Sequence, residues 1–149
     1  MTDSERNKQL VRRLFEAAYT HYNPKTLDEV LAENYVHHPT AGADLLGREA
    51  LRRSMISHEK AFPEGKVEIH SMVSEDDIVA TRLTFHLTHR GEFWGIAPTG
   101  NPLRMKEMMF HRIENSVIAE GWNMADRLGI ARQLEAVQDD SLPPGLRGK

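Results

Sequence analysis

Leu103-Arg104-Met105-Lys106-Glu107-Met108-Met109-Phe110-His111-Arg112-Ile113 alternates with a period of two. Its odd positions, Leu103, Met105, Glu107, Met109, His111 and Ile113, are more apolar than the even ones between them. Such alternation predicts a β-strand whose odd face points inward. Two ionisable groups, Glu107 and His111, share that face. Burying a charge is costly unless it is paired or neutralised. Two explanations stand: the strand lines a pocket, or the groups form a satisfied core pair or a strand end that reaches solvent.

The same period extends to both sides. Upstream, Val67, Ile69, Ser71 and Val73 alternate with Lys66, Glu68, His70 and Met72; Asp76-Asp77 makes a turn. Val79, Thr81, Leu83, Phe85 and Leu87 alternate with Ala80, Arg82, Thr84 and His86. A connection rich in glycine and proline runs from Arg90 to Pro102. Downstream, Glu114-Asn115-Ser116 turns the chain into a fourth strand, Val117 to Met124, with Ile118, Glu120, Trp122 and Met124 on one parity. If that parity holds, Asp126 continues the row at the junction with a last short helix containing Leu128, Ala131 and Leu134. Asp126 then either reaches the pocket or caps the helix.

Before the strands the period is helical. Leu10, Val11, Leu14, Phe15, Ala18 and Tyr22 recur at helix spacing, and Thr2 with Glu5 has capping-box spacing. Asn23-Pro24 starts a second helix with Leu27, Val30 and Leu31 on its apolar face. Pro39 to Gly47 reads as loop. A third helix, Arg48 to Ala61, carries Leu51, Met55 and His58 along one side and stops at Phe62-Pro63. Helices followed by antiparallel strands are an α+β pattern. The 149 residues fit one domain with its core in about 8–135 and a tail, 136–149, that is loose or docks late. The simplest packing lays the helices on a curved sheet and leaves a cavity between them.

Composition narrows the chemistry. The net charge is −3, with basic and acidic residues mixed, so neither a nucleic acid nor a membrane surface is an expected partner. No cysteine is present, which excludes thiol catalysis and fits a cytoplasmic protein. Met1 to Gln9 lacks the apolar run of a signal peptide. His37 and His38 are adjacent on an extended segment and point to opposite sides. No His-x-x-x-His supports a metal. A neutral histidine donating hydrogen bonds at a pocket mouth suits them better. Phe93 and Trp94, within Gly91 to Gly100, are core plugs or a lid over an apolar ligand. Serine-nucleophile and nucleotide-binding motifs are lacking. Acid/base chemistry by carboxylate and imidazole, without cofactor or metal, remains.

The ordered set Phe62-Pro63, Asp76 to Thr84, Thr88 to Phe93, Gly95-Ile96-Ala97-Pro98-Thr99-Gly100 and Ile118 to Asp126 resembles the SnoaL-like polyketide cyclases, as does Tyr35-Val36-His37-His38. The resemblance implies an NTF2-like cone, a homodimer or homotetramer built through sheet faces, and a pocket for an apolar small molecule. It implies intramolecular aldol ring closure of a polyketide-like ester or related carbonyl compound, as in an ester cyclase, a lyase or isomerase type of reaction. It places the catalytic acid/base at Asp126. The assisting histidine falls at His111, with Phe110 and Arg112 one step to either side. Many members carry histidine where this chain has Gly121, a departure from the antibiotic cyclases.

On that basis an apolar pocket raises the Asp126 pKa, and Asp126→Asn abolishes turnover without unfolding the protein. Phe85, Trp94, Met105, Met109 and Trp122 are the expected apolar walls. Arg82 and Glu107 are the expected anchors for polar substrate ends, although Arg82 and Phe85 have opposite parity. The alternatives are a non-catalytic binding protein and an isomerase or hydratase using the same pocket.

Overall fold

The computed structural model describes residues 1–148; Lys149, the end of the expected tail, lies outside the described residues. Helix α1 (Asp3–Phe15) begins at the predicted capping box and buries Val11, Leu14 and Phe15. A π-helical turn, Glu16–Thr20, follows. Such a turn holds one residue more than an α turn and shifts the helical phase. That shift accompanies Tyr19 packing on the sheet, its ring centroid 4.8 Å from that of Phe85. Helix α2 (Pro24–Val30) is capped by Asn23, whose side chain accepts from the Lys25 and Thr26 N–H groups. Helix α3 (Arg48–Ala61) buries Leu51, Met55 and Ala61.

Six strands form one sheet: β1 (Leu31–His38), β2 (Leu45–Leu46), β3 (Lys66–Glu75), β4 (Ile78–Thr88), β5 (Pro102–Glu114) and β6 (Val117–Ala125). Their order is β2-β1-β6-β5-β4-β3. All neighbours are antiparallel except β1 and β6, which run parallel. Helix α4 (Arg127–Gln133) closes the fold beside β5. The inner face carries the apolar row of β4 and β5, including Val79, Leu83, Phe85, Leu103, Met105 and Met109, all buried. The outer face exposes Val73, Met108, Phe110 and Met124. This is the α+β cone expected from the resemblance.

Strands β1 and β2 are corrections. Leu31 was expected in a helix and Pro39 to Gly47 in a loop. Ala32, Glu33 and Asn34 give β1 no strand pattern of its own; it forms because β6 offers it a parallel partner. Two β-bulges also correct the expected parity. On β6, Ile113 pairs with Ile118 but Arg112 pairs with Glu120, so Ala119 is the extra residue. A bulge moves every later side chain to the opposite face. Ile118 therefore points inward, whereas Glu120, Trp122 and Met124 point outward. On β3 the shift between Ile69 and Ser71 turns Met72 inward and leaves Val73 exposed.

The tail docks on α4. Arg132 Nε donates to Asp139 Oδ1 at 2.7 Å and its guanidinium also holds the Leu146 carbonyl. No helix among the described residues is long and apolar enough to cross a membrane.

Candidate active site

Between the inner face of the sheet and helix α3 lies a cavity of about 200 Å³. Its floor is Phe85 from β4 and Met105, Glu107 and Met109 from β5. Strand β6 adds Asn123 and Ala125, which the bulge has turned inward. Strand β1 adds His37. Helix α3 contributes Leu51, Ser54, Met55 and His58, and the π turn contributes Tyr19. Phe93, Trp94 and Arg127 also line the space.

The aromatic lining segment is a two-residue hairpin. Phe93 N–H donates to the Ile96 carbonyl at 3.1 Å, and Ile96 N–H returns the bond at 2.9 Å. Trp94 and Gly95 both have positive φ, 53° and 75°, as the hairpin turn that matches strand twist requires. Glycine takes that φ without strain; tryptophan rarely does. Trp94 is held between Phe93, stacked at 4.8 Å, and the Arg127 guanidinium, 4.6 Å from its ring centroid. The next turn is pinned by buried His89, whose Nδ1 accepts from Thr99 N–H at 3.2 Å.

Glu107 is the one carboxylic acid in the cavity wall among the described residues. Its side chain borders the space yet is surrounded by protein. Desolvation raises its pKa from 4.5 to about 7, opposed only by a hydrogen bond from Asn123. Asn123 Nδ2 donates to Glu107 Oε2 at 3.1 Å. Asn123 Oδ1 lies 3.1 Å from His37 Nε2, and His37 Nδ1 lies 3.1 Å from the Tyr35 hydroxyl. Burial lowers the His37 pKa, with the Asn123 bond opposing it. Burial also lowers that of His58 to about 4, and His58 Nε2 has no partner among the described residues. The Tyr19 phenol is pushed well above its usual value by burial and by Glu107. At neutral pH the cavity thus presents a half-ionised carboxyl group beside a phenol, an amide and two neutral imidazoles.

Of the residues singled out in the sequence, His37, Phe85, Trp94, Met105, Glu107 and Met109 meet in this cavity. The rest do not. Asp126 is exposed, and its Oδ1 accepts from Gly129 N–H at 2.9 Å as the N-cap of α4. It borders a separate depression on the outer face, together with Arg82 and Met124. The bulge at Ala119 is the physical reason: it puts the row ending in Met124 outside. His111 does point inward but lies beyond the cavity, under Phe15, with ring centroids 5.7 Å apart. It is buried, both its nitrogens lack partners among the described residues, and burial lowers its pKa to about 3. Trp122 stacks on His38 at 5.2 Å on the outer face. His38 there lies 2.8 Å from Glu120 and 3.0 Å from Asp44.

Asn123, Tyr19 and His58 were not singled out as site residues. His58 had a signal, a polar residue on the apolar side of α3. Tyr19 was hidden by the π turn and Asn123 by the bulge. Gly121 has a structural cause: a Cβ there would come within 2.2 Å of Tyr35 Oη and 3.2 Å of His111. The Tyr35 hydroxyl takes the space a side chain would need.

Among solved structures, IdmH from Streptomyces antibioticus, a candidate polyketide cyclase, is similar at 28% identity and a TM-score of 0.76, covering 87% of this chain and 98% of its own. AclR from Streptomyces galilaeus, a candidate hydroxylase, is 23% identical with a TM-score of 0.81, covering 91% and 100%. A candidate SnoaL-like polyketide cyclase from Jannaschia sp. CCS1 is 16% identical with a TM-score of 0.84, covering 93% and 97%. The last two likenesses speak to the fold alone. No protein of curated function matches in sequence. The sequence model for SnoaL-like polyketide cyclases matches residues 9–134, and the chain belongs to that family.

Proposed function

We propose that the protein is a cofactor-independent acid/base enzyme that closes a ring on a compact apolar carbonyl compound, with Glu107 as the catalytic group. One observation carries this: a lone carboxyl group in the cavity wall beside Phe85, Met105 and Met109, with a pKa of about 7 and one neutral donor on Oε2. A base whose pKa lies near the working pH is well matched to proton transfer. Glu107 carboxylate would take a proton from the carbon beside a carbonyl. The resulting enolate attacks a second carbonyl carbon of the same molecule. The Tyr19 phenol, kept protonated by burial, donates a hydrogen bond to the developing alkoxide. The proton on Glu107 then passes to that oxygen. One carbon–carbon bond forms, one carbonyl becomes a hydroxyl, and Glu107 is regenerated. Holding both carbonyls in one small space supplies proximity.

Cavity size supports a small substrate. An apolar cavity of about 150 Å³ holds benzene, so about 200 Å³ suits a single substituted ring. A larger polyketide would require the Phe93–Ile96 hairpin to swing out. A cytoplasmic location and a homodimer through the exposed Met108, Phe110 and Met124 on the outer face belong to the same proposal.

The test is a thermal-shift screen with small aromatic and polyketide-like carbonyl compounds, followed by product analysis with wild type and Glu107→Gln. Glu107→Gln is expected to lower kcat by about 10²–10⁴-fold with ligand binding retained. Binding without conversion, unaffected by the substitution, would instead mark a carrier protein.

A further inference from the structure

Glu107 is reached by a string of three side chains whose atoms permit one direction of donation while Glu107 is ionised. Asn123 Nδ2 faces Glu107 Oε2, so the amide donates there. While Glu107 is ionised, the opposite amide orientation would aim an oxygen at a carboxylate oxygen with no proton between them. Asn123 Oδ1 therefore faces His37 Nε2, which must carry the imidazole proton. His37 is buried and kept neutral, so its Nδ1 is bare and accepts the Tyr35 phenolic proton. Tyr35 is buried and its hydroxyl sits against Gly121, the position where no side chain would fit. The other ionisable groups bordering the cavity are Tyr19 from the π turn, His58 from α3 and Arg127 from α4. None of them bonds to the carboxylate, and Oε1 takes no hydrogen bond from the described residues.

Resting on the assignment of Glu107 as the acid/base group, we infer that Tyr35, His37 and Asn123 are positioning residues that hold the Glu107 carboxylate by Oε2 and leave Oε1 for the substrate. A donor that fixes one oxygen fixes the plane of the carboxylate, and so the direction from which it can take a proton. The same donor favours the ionised form, counteracting the burial. Departure from histidine at Gly121 is part of the device, since it makes room for Tyr35 at the far end.

The string is read by NMR. Carboxyl carbon shifts follow Glu107, assigned by its absence in Glu107→Gln, and nitrogen shifts show which His37 ring atom is protonated. Above the Glu107 midpoint, wild type is expected to carry the His37 proton on Nε2. Asn123→Leu is expected to raise the Glu107 midpoint by about one pH unit. Tyr35→Phe is expected to spread the His37 proton over both nitrogens and to raise the midpoint by less, although Tyr35 does not touch Glu107. A purely structural Tyr35 would leave the titration unmoved. A wild-type His37 protonated on Nδ1 above the Glu107 midpoint, or a Glu107 midpoint equal in folded Tyr35→Phe and wild type, overturns the inference. The wild-type measurement needs no variant to fold. Turnover insensitive to Glu107→Gln would sink the catalytic assignment separately, since the titrations do not depend on it.

Discussion

Glu107 and Glu120 lie on neighbouring strands but on opposite faces of the sheet. On the outer face Glu120 accepts from Arg112 Nε at 3.0 Å and lies 2.8 Å from His38 Nε2. The His38 and Arg112 hydrogen bonds lower its pKa, and Glu120 raises that of His38. Partners of opposite charge favour the ionised forms of Glu120 and His38 there, and such exposed pairs contribute little to stability. On the inner face Glu107 pairs with no cation among the described residues and takes one neutral donor. Burial there changes its protonation state instead. The difference teaches that chemistry in this sheet is assigned by face. One residue of bulge on β6 puts Glu120 outside, while the unbroken alternation of β5 keeps Glu107 inside.

Stability against pH breaks or sharpens this contrast most directly. Glu107 titrates near 7 in the fold and near 4.5 unfolded. Below 4.5 both states are protonated. Between about 4.5 and 7 the unfolded chain has ionised while the half-buried Glu107 of the fold keeps its proton, so stability falls across that window and levels off above 7. Glu107→Gln removes that dependence. At pH 8 it should be more stable than wild type by up to about 3 kcal/mol, and at pH 4 the difference should nearly vanish. Melting curves at the two pH values check it; an equal gain at both would mean that burial does not govern Glu107. Next in size is Gly121→Ala. Its Cβ would meet Tyr35 Oη at 2.2 Å, so either the tyrosine moves or the strands separate. A loss of about 2 kcal/mol in denaturant unfolding is expected; no loss would show that the Tyr35 end of the inner face is loosely packed.

The β5 pattern read correctly from sequence because its alternation runs unbroken from Leu103 to Ile113. Glu107 and His111 were both legible there as inward ionisable groups. What alternation does not show is where along the face the cavity ends, so His111 under Phe15 and Glu107 beside the space look alike. The β6 row was misread past Ile118 because nothing in Val117-Ile118-Ala119-Glu120 announces an extra residue. The bulge exists in the pairing with β5, not in the strand alone. Tyr19 escaped for a related reason, since the π turn is a tertiary accommodation that helical periodicity cannot contain. His37 and His38 were expected to part company, and they do: one joins Asn123 inside, the other Glu120 outside.

The smallest expected effect is at Asp126, and it discriminates most sharply between the two faces. Its carboxylate caps α4 through Gly129 N–H and stands in solvent. Asparagine caps a helix about as well as aspartate, whereas alanine does not cap it. Asp126→Asn should therefore leave both turnover and melting temperature nearly unchanged. Asp126→Ala should cost about 1 kcal/mol and still turn over at the wild-type rate. A helix cap predicts that Asn rescues what Ala loses; a proton-transfer group predicts that Asn fails as badly as Ala. If Asp126→Asn lost turnover with its fold intact while Glu107→Gln kept it, the chemistry would belong to the outer depression beside Arg82 and Met124. The bulge at Ala119 would then turn Asp126 toward the substrate.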